Sequence, residues 1–298
     1  MAAAAPSEPS VWLFAYFHHP GRDGLRFAWS RDGYRWEDLA GGRPVLEPRL
    51  GPERLLRDPF VLPTPDGRYH LVFTIGWAGR SIGHAWSEDL VHWSEQREVP
   101  VMAGEPDAAN CWAPEIAADP ASGGHLVFWS TTIPGRYPGT DGQRGRSHRI
   151  YCAPTADFER FGPSRLLYDP GFNVIDADIL PHAGRFLLFM KNETGDPLPP
   201  EKNIRFASAP AAAGPYGSAS PPITGPYWAE GPCAIHLDGH VMVYFDKHRE
   251  GRYGAVRSRD LRTWEDVSDR LAFPPLARHG HVFAVAESVV ARLAAGGA

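Results

Sequence analysis

The stretch Ser30-Arg-Asp-Gly-Tyr-Arg-Trp36 decides the fold, because versions of it recur along the chain. Clear copies are Ser87-Glu-Asp-Leu-Val-His-Trp93 and Ser258-Arg-Asp-Leu-Arg-Thr-Trp264, and weaker copies end at Phe161 and Tyr216. The closing aromatics follow one another at intervals of roughly 50 to 70 residues, which is typical of repeat architectures. The recurrence predicts five similar units, with each aromatic filling the space between neighbouring units.

Each unit contains β-rich segments rather than helices. An apolar run such as Tyr69-His-Leu-Val-Phe-Thr74 is followed by a second segment, for example Ile82-Gly-His-Ala-Trp86, and then by the Asp-containing turn. Runs of β-branched and aromatic residues bounded by turn residues predict strands. Units of this kind are typical of a β-propeller, whose blades are usually four-stranded sheets. We therefore predict an all-β fold, a five-bladed β-propeller, with no helix.

A short segment with an acid or a histidine precedes each apolar run and predicts the innermost strand of a blade. The segments are Arg57-Asp58-Pro59-Phe60, Trp112-Ala-Pro-Glu115-Ile116, Ile175-Asp176-Ala177-Asp178-Ile179, Glu230-Gly231-Pro232 and Arg278-His279-Gly280-His281. The last strand, ending at about Glu287, has no partners after it, whereas residues 11–17 and 25–29 have none before them. Both termini should therefore close one blade, which leaves no open sheet edge. The whole chain, residues 1–298, is predicted to be one domain, with residues 1–10 disordered.

Composition excludes several classes of partner. The formal net charge is −5, from 35 acidic and 30 basic residues, and no run of like charges is present. Neither a nucleic acid nor an anionic membrane is therefore expected as a partner. Three widely spaced cysteines indicate neither a disulfide framework nor a zinc site, and no apolar stretch is long enough to span a membrane. The first ten residues lack the pattern of a secretion signal, which leaves two alternatives: a cytoplasmic protein, or a secreted one whose signal was removed.

The acids of the innermost strands are candidate catalytic groups. A carboxyl group in an axial tunnel is partly desolvated and close to its counterparts, so that the pKa values move apart. Cleavage of a glycosidic bond needs this separation, because one carboxyl donates a proton while another activates water. Asp58, Asp176 and Glu230 are the candidates, and a structural turn or loop role is the alternative for each. Strand alternation predicts that Asp176 and Asp178 face the same way.

Candidate substrate contacts lie near the same strand ends. Trp77, Trp112 and Trp228 are placed where an aromatic ring can stack on a sugar, and Lys191 lies in a loop that can shape specificity. Glu115 is either a fourth acid facing the tunnel, in contact with substrate, or a buried hydrogen-bonded residue. His279 is either a ligand-binding residue or a packing residue.

Taken together, these segments resemble glycoside hydrolase family 43, the arabinosidase and xylosidase propellers, from about residue 11 to residue 287. The resemblance implies that Asp58 is the general base, Asp176 the modulator of pKa and Glu230 the general acid. It implies that Asp176 raises the pKa of Glu230 and that Trp112 contacts substrate. It also implies that His279 helps to hold a calcium ion or a water. Two departures from the family pattern are the position of Asp58 after two strands and the Ala that follows Asp176.

The implied activity is hydrolysis of terminal glycosidic bonds in plant-type polysaccharides or oligosaccharides, most similar to that of an α-L-arabinofuranosidase. Inversion is favoured, with base and acid carboxyls roughly 6.5–9.5 Å apart. No cofactor is required, and a calcium ion would be structural. The alternatives are β-xylosidase or β-galactosidase activity, a non-catalytic carbohydrate-binding propeller, and a glycoside phosphorylase with Arg57 and Arg278 as candidate phosphate ligands.

Overall fold

The computed structural model describes residues 10–142 and 145–295. Within these residues, nineteen strands form five antiparallel sheets. The predicted disorder of residues 1–10 falls, except for Ser10, outside the described residues. The elements in chain order are β1 (Ser10–His18), β2 (Arg26–Ser30), β3 (Glu37–Asp38), β4 (Arg57–Pro63), β5 (Tyr69–Thr74), β6 (Ile82–Ser87), β7 (Arg97–Val99), β8 (Trp112–Asp119), β9 (Gly124–Thr132), β10 (His148–Thr155), β11 (Arg165–Tyr168), β12 (Val174–His182), β13 (Arg185–Asn192), β14 (Ile204–Ala209), β15 (Glu230–Leu237), β16 (His240–Lys247), β17 (Arg252–Ser258), β18 (Glu265–Asp266), β19 (Ala277–Ala286) and the helix α1 (Glu287–Ala295).

The sheets are the blades of a five-bladed β-propeller, as predicted. Four blades follow the chain, in the strand orders β4 to β7, β8 to β11, β12 to β14 and β15 to β18. The fifth has the order β19-β1-β2-β3, with Leu13 of β1 opposite Phe283 of β19. The predicted closure of one blade by both termini is therefore confirmed.

Two details differ from the prediction. A helix, α1, follows β19, and it buries Val289, Val290 and Leu293 against the closing blade. The blade of β12 to β14 has three strands, because an irregular segment containing Pro221 and Pro222 replaces the fourth. Proline has no backbone N–H for a sheet ladder.

The Asp of the repeated turn is explained by its hydrogen bonds to the backbone. In the first copy the Asp32 carboxylate accepts the backbone N–H groups of Tyr34 and Arg35, at 2.7 and 2.8 Å. Asp89, Asp157 and Asp260 make the same pair of bonds in their turns. The short Asp side chain thus closes each turn by itself.

The aromatic that closes each turn packs between blades. Five hydrophobic clusters each join two neighbouring blades, and each contains one of the repeated aromatics. These aromatics are Trp36, Trp93, Phe161, Tyr216 and Trp264. The predicted packing role is confirmed: Trp36 is buried and the other four are partly buried, and the contacts of these large rings help to hold neighbouring blades together. No helix in the described part of the chain is long and apolar enough to cross a membrane.

Candidate active site

A β-bulge near the start of the innermost strand sets the direction of the candidate side chains. Such a bulge interrupts β4, β8, β12 and β15. The residues at the bulges, Asp58, Ala113, Asp176 and Gly231, have φ of 50°, 45°, 53° and 58°. A non-glycine residue held in this region costs about 1–3 kcal/mol, and bulges commonly redirect side chains next to active sites. The simple alternation predicted for Asp176 and Asp178 is wrong, because the bulge lies between Ile175 and Asp178.

The bulged strands bring the three predicted carboxyls together. Asp58, Asp176 and Glu230 line one pocket with a cavity volume of about 170 Å³. The other lining residues are Arg57, Thr74, Trp77, Trp112, Ile175, Lys191, Glu193 and His279. Residues from all five blades therefore meet at this pocket.

Asp58 is held as a carboxylate. Thr74 donates a hydrogen bond to Oδ2 of Asp58 at 2.8 Å, and Nδ1 of His279 lies 3.4 Å from its Oδ1. Burial raises the pKa of Asp58, but the positive charge of Arg57 and the contact with His279 outweigh it, and the pKa falls below its ordinary value. An ionised, fixed carboxylate is what a general base requires.

Asp176 is the least compensated of the three carboxyls. Its Oδ2 accepts the backbone N–H of Gly231 at 3.1 Å, and its own N–H donates to the hydroxyl of Ser130 at 3.1 Å. Burial raises the pKa of Asp176 to about 6, helped by the negative charges of Glu230 and Asp58 and opposed by His279 and Lys191. Asp176 can therefore change protonation state near neutral pH.

Glu230 lies against two cations and a histidine. Its Oε2 lies 2.9 Å from Nζ of Lys191 and 3.4 Å from Nδ1 of His248, and its Oε1 accepts a hydrogen bond from Arg278 at 3.1 Å. Burial favours the neutral acid, but Lys191, His248 and Arg278 outweigh it, so that the pKa of Glu230 lies well below its ordinary value. The net pKa of Glu230 is therefore lowered because these groups outweigh the nearby charge of Asp176, and the role of Asp176 as modulator of the pKa of Glu230 stays a prediction.

His279 is the counter-ion of the carboxyls. Burial lowers its pKa, but Asp176 and Asp58 outweigh this effect and raise the pKa to about 9. The ring packs against Gly231, where a Cβ atom would lie 2.4 Å from Cδ2 of His279, so that Gly231 leaves room for the ring. A protonated imidazole has no lone pair for a metal, and Ca²⁺ takes oxygen ligands. His279 thus offers no oxygen ligand for Ca²⁺, and its predicted role in holding a metal stays a prediction. In residues 10–142 and 145–295, no group of three or more His, Cys, Asp or Glu side chains is arranged to hold a metal ion.

Glu115 lies apart from the candidate pocket. It is 5% exposed and does not line the pocket. Burial, the charge of Asp178 and a hydrogen bond to that residue raise the pKa of Glu115 well above its ordinary value, so that it is a protonated, buried residue. Burial of Glu115 outside the pocket favours the second of its two interpretations, although its Oε2 has no hydrogen-bond partner among the described residues, and substrate contact stays an untested prediction.

Sequence reasoning missed three members of a second ring of polar residues, Thr74, Ser130 and Asp246, and expected the fourth, Lys191, in a loop, whereas it lies in β13. Thr74, Ser130, Lys191 and Asp246 lie opposite the first residue of the bulge in their blades. Asp246 accepts a hydrogen bond from Arg278 at 2.6 Å, and the others contact the bulges or carboxyls described above. The sequence feature that could have identified these residues is a polar residue at the end of each apolar run, directly after Phe73, Trp129, Met190 and Phe245.

The three predicted tryptophan contacts each carry a guanidinium group. Trp77, which is 40% exposed, lines the pocket with Arg57 at 4.4 Å from its ring centroid. Trp112 carries Arg146 at 4.8 Å, and Trp228 carries Arg249 at 3.2 Å. One face of each indole is therefore occupied.

A second, larger cavity adjoins the pocket. Its volume is about 700 Å³, and it shares Trp112 and Glu193 with the pocket. Trp228 lines this outer cavity and not the pocket itself. The site thus consists of a small acidic pocket and a wider cavity beside it.

Comparison with known proteins gives one family and several relatives. Residues 8–290 match the family described as "Probable glycosyl hydrolase domain", a relative of glycoside hydrolase family 43. An α-L-arabinofuranosidase of Bifidobacterium longum is 27% identical over 192 residues, which cover 56% of this chain and 18% of that protein. The chain thus spans less than a fifth of that relative's length.

Several solved structures share the fold. An α-L-arabinofuranosidase from Lactobacillus brevis superposes with a TM-score of 0.55 at 16% identity, covering 71% of this chain and 72% of that one. A candidate exo-β-1,3-galactanase from Bifidobacterium bifidum superposes with a TM-score of 0.62 at 15% identity, covering 91% of each chain. At such low identity these similarities concern the fold alone.

Proposed function

The chain belongs to the glycosyl hydrolase domain family related to glycoside hydrolase family 43, and we propose that it hydrolyses terminal glycosidic bonds of oligosaccharides or polysaccharides. The observation that carries the proposal is the meeting of Asp58, Asp176 and Glu230 in one pocket. Their surroundings push the pKa values apart, downward for Asp58 and Glu230 and upward for Asp176. Paired carboxyls in different protonation states are what glycosidic cleavage requires.

In the proposed mechanism Asp58 acts as the general base. It is ionised and anchored by Thr74 and His279. It takes a proton from a water, which attacks the anomeric carbon from the opposite side of the sugar to the departing oxygen, so that the product is inverted.

Two assignments of the proton donor compete. The family resemblance favours Glu230, with Asp176 as the residue that adjusts its pKa. The charges favour Asp176, because its pKa is about 6 whereas Lys191 and Arg278 stabilise Glu230 as an anion. For Glu230 to act as the acid, substrate binding has to weaken these ion pairs so that Glu230 can take up a proton.

We propose α-L-arabinofuranosides as the first substrates to test. This choice rests on the named activity of the Bifidobacterium longum and Lactobacillus brevis proteins. β-Xylosides and β-galactosides follow, the latter because a candidate galactanase shares the fold.

Phosphorolysis is the less favoured reaction. Arg278 is bound to Asp246 and Glu230, and Arg57 donates to the carbonyl of Pro20 while it stacks on Trp77. The two guanidinium groups that the sequence offered as phosphate ligands are therefore already engaged.

The proposed function is tested with a panel of nitrophenyl glycosides, with and without phosphate, and with the product anomer followed by NMR. Release of nitrophenol without phosphate, and an inverted anomer as the first product, would support the proposal. An absolute need for phosphate would establish the phosphorylase. Binding of arabino-oligosaccharide by calorimetry without turnover of any glycoside would establish the non-catalytic alternative.

A further inference from the structure

The outer cavity contains cationic groups that the proposed hydrolysis does not use. It adjoins the acidic pocket at Trp112 and Glu193, so that a substrate whose terminal sugar occupies the pocket can extend its leaving group into the cavity. Arg146 and Arg249 are part of the lining of this cavity. A group bound there would therefore belong to the part of the substrate that departs on cleavage.

The two guanidinium groups keep their hydrogen-bond donors available. Arg146 stacks on Trp112 and Arg249 stacks on Trp228, at 4.8 and 3.2 Å from the ring centroids. Among the described residues, neither side chain makes a hydrogen bond or an ion pair with the protein. Stacking uses the face of a guanidinium group, while its N–H groups point outward from the edge, in a fork that matches a carboxylate.

The acids of this cavity do not neutralise the two arginines. Glu193 is paired through its two oxygens with Lys191 and Lys202, at 2.7 Å each. The other acid of the lining, Asp196, is exposed and forms no ion pair with a described residue. The lining of the cavity therefore has two guanidinium groups and one exposed carboxylate without ion-pair partners among the described residues, which gives it a net positive charge.

The stacked arginines also change what the tryptophans can do. A sugar ring that stacks on Trp112 or Trp228 must use the other face of the indole or displace the guanidinium group. The recognition surface that the cavity presents is therefore charged rather than purely aromatic.

We propose that the outer cavity binds an anionic sugar, with a uronic-acid carboxylate held by Arg146 and Arg249, on the leaving-group side of the cleaved bond. This inference rests on the proposed hydrolase function, because it takes the adjoining pocket as the place of cleavage. It makes oligosaccharides that carry a uronic acid the preferred class of substrate.

Calorimetry on the full chain tests the proposal with three disaccharides that differ only at C6 of one sugar. The probes are xylosyl-glucose, its uronic-acid form and its 6-sulfate, in which xylose is the terminal sugar and the varied glucose is the leaving group. We expect the uronic-acid form to bind about tenfold more tightly than the neutral form, because hydrogen bonds to charged groups contribute more than neutral ones. The preference should shrink as salt is raised from about 0.05 to 0.5 M.

The variants Arg146→Gln and Arg249→Gln, alone and combined, identify the residues. We expect each to reduce the ratio of uronic-acid to neutral affinity, and the double variant to bring it close to one. Arg160→Gln is the matched control, because Arg160 is 91% exposed on a turn and, within the described part of the chain, pairs only with Asp157. It should leave all three affinities unchanged.

Equal affinity of the wild-type protein for the neutral and uronic-acid forms would overturn the proposal, and so would a ratio that survives in the double variant. Tighter binding of the sulfate than of the carboxylate would overturn the assignment to a uronic acid. Because binding is measured without turnover, an inactive protein that still prefers the uronic-acid form would contradict the proposed hydrolysis but not the anionic site.

Discussion

Nζ of Lys191 lies 2.9 Å from Oε2 of Glu230, and both side chains line the pocket that also holds Asp58 and Asp176. Lys191 comes from the second strand of one blade and Glu230 from the innermost strand of the next. Arg278, from the closing blade, contacts the other oxygen of Glu230. Three blades thus fix the charge of one carboxyl, and the distribution of protons in the site follows from how the blades meet.

Lys191→Met should raise the pKa of Glu230, because it removes the nearest cation. If Glu230 is the proton donor, the alkaline limb of kcat/KM against pH moves to higher pH, since the acid stays protonated over a wider range. The pH profile on a nitrophenyl glycoside measures this shift. Lys247→Met is the control, because Lys247 is an equally buried lysine that pairs with Glu250 instead. An unmoved profile in Lys191→Met would show that Glu230 does not supply the proton.

Dependence on the leaving group separates the two candidate acids. A dinitrophenolate departs without protonation, so a variant that lacks the acid retains activity on a dinitrophenyl glycoside and loses it on an alkyl glycoside. For each protein we compare the rate on the dinitrophenyl glycoside with the rate on the alkyl glycoside. We expect this ratio to be about 10²–10⁴-fold larger than in the wild type for either Glu230→Gln or Asp176→Asn, but not for both. Asp58→Asn should be slow on both substrates, because water activation is needed in each case. A variant of Asp58 that is rescued by the better leaving group would contradict the role of base.

His279 should make stability fall at alkaline pH. Its pKa is about 9 in the folded protein against an ordinary 6.5. Because folding raises the pKa of His279, the protonated ring adds to the free energy of unfolding. This contribution is fully present below pH 6.5 and is lost as the pH rises from about 6.5 to about 9. Urea unfolding midpoints of the wild type should decline over this window, and those of His279→Gln should decline less. His92→Gln, at a ring that is 86% exposed, is the control. Parallel curves for the wild type and His279→Gln would contradict the assignment of a charged His279.

A buried histidine pair should make the protein sensitive to acid. Nδ1 of His70 lies 3.1 Å from Nε2 of His84, and both rings stack near Phe158. Burial lowers the pKa of His70 to about 4 and of His84 to about 3. The unfolded chain takes up these protons first, so stability is lost as the pH falls from about 6.5 toward 4, by up to about 2 kcal/mol per histidine at pH 5.

His84→Gln tests this acid sensitivity by urea unfolding at pH 7 and pH 5. The variant should lose less free energy of unfolding than the wild type between the two pH values, whatever its stability at pH 7. If the free energy of unfolding falls equally in both proteins between pH 7 and pH 5, groups other than His84 cause the acid sensitivity.

The blade pattern was predictable because its causes are local. Asp32 and its counterparts accept hydrogen bonds from backbone N–H groups two and three residues away, so a few consecutive residues determine the turn. The closing blade was predictable as well, since β19 lacked partners at one end of the chain and β1 lacked them at the other. The helix α1 was missed, because its nine residues carry only a short apolar face.

The protonation states of the site were not predictable from the sequence. The sequence contains Lys191, Glu230 and Arg278, but their separations along the chain, 39 residues between the first two and 48 between the last two, give no indication of contact. At the bulges that turn Asp58 and Asp176 into the pocket, the hydroxyl of Thr74 donates a hydrogen bond to the carboxylate of Asp58, and the hydroxyl of Ser130 accepts one from the backbone N–H of Asp176. The motifs were sufficient to predict which three carboxyls meet in the pocket. Their pKa values depend on contacts between blades, which the sequence does not reveal.

The most direct measurement is the rate of nitrophenol release from a nitrophenyl α-L-arabinofuranoside by the wild-type protein and by Asp58→Asn, Asp176→Asn and Glu230→Gln. We predict turnover by the wild type and a loss of at least about 10²-fold in each variant, with circular dichroism unchanged. If the wild type releases the nitrophenol and all three variants release it at the same rate, the three carboxyls are not the catalytic groups, and the cleavage takes place elsewhere on the propeller.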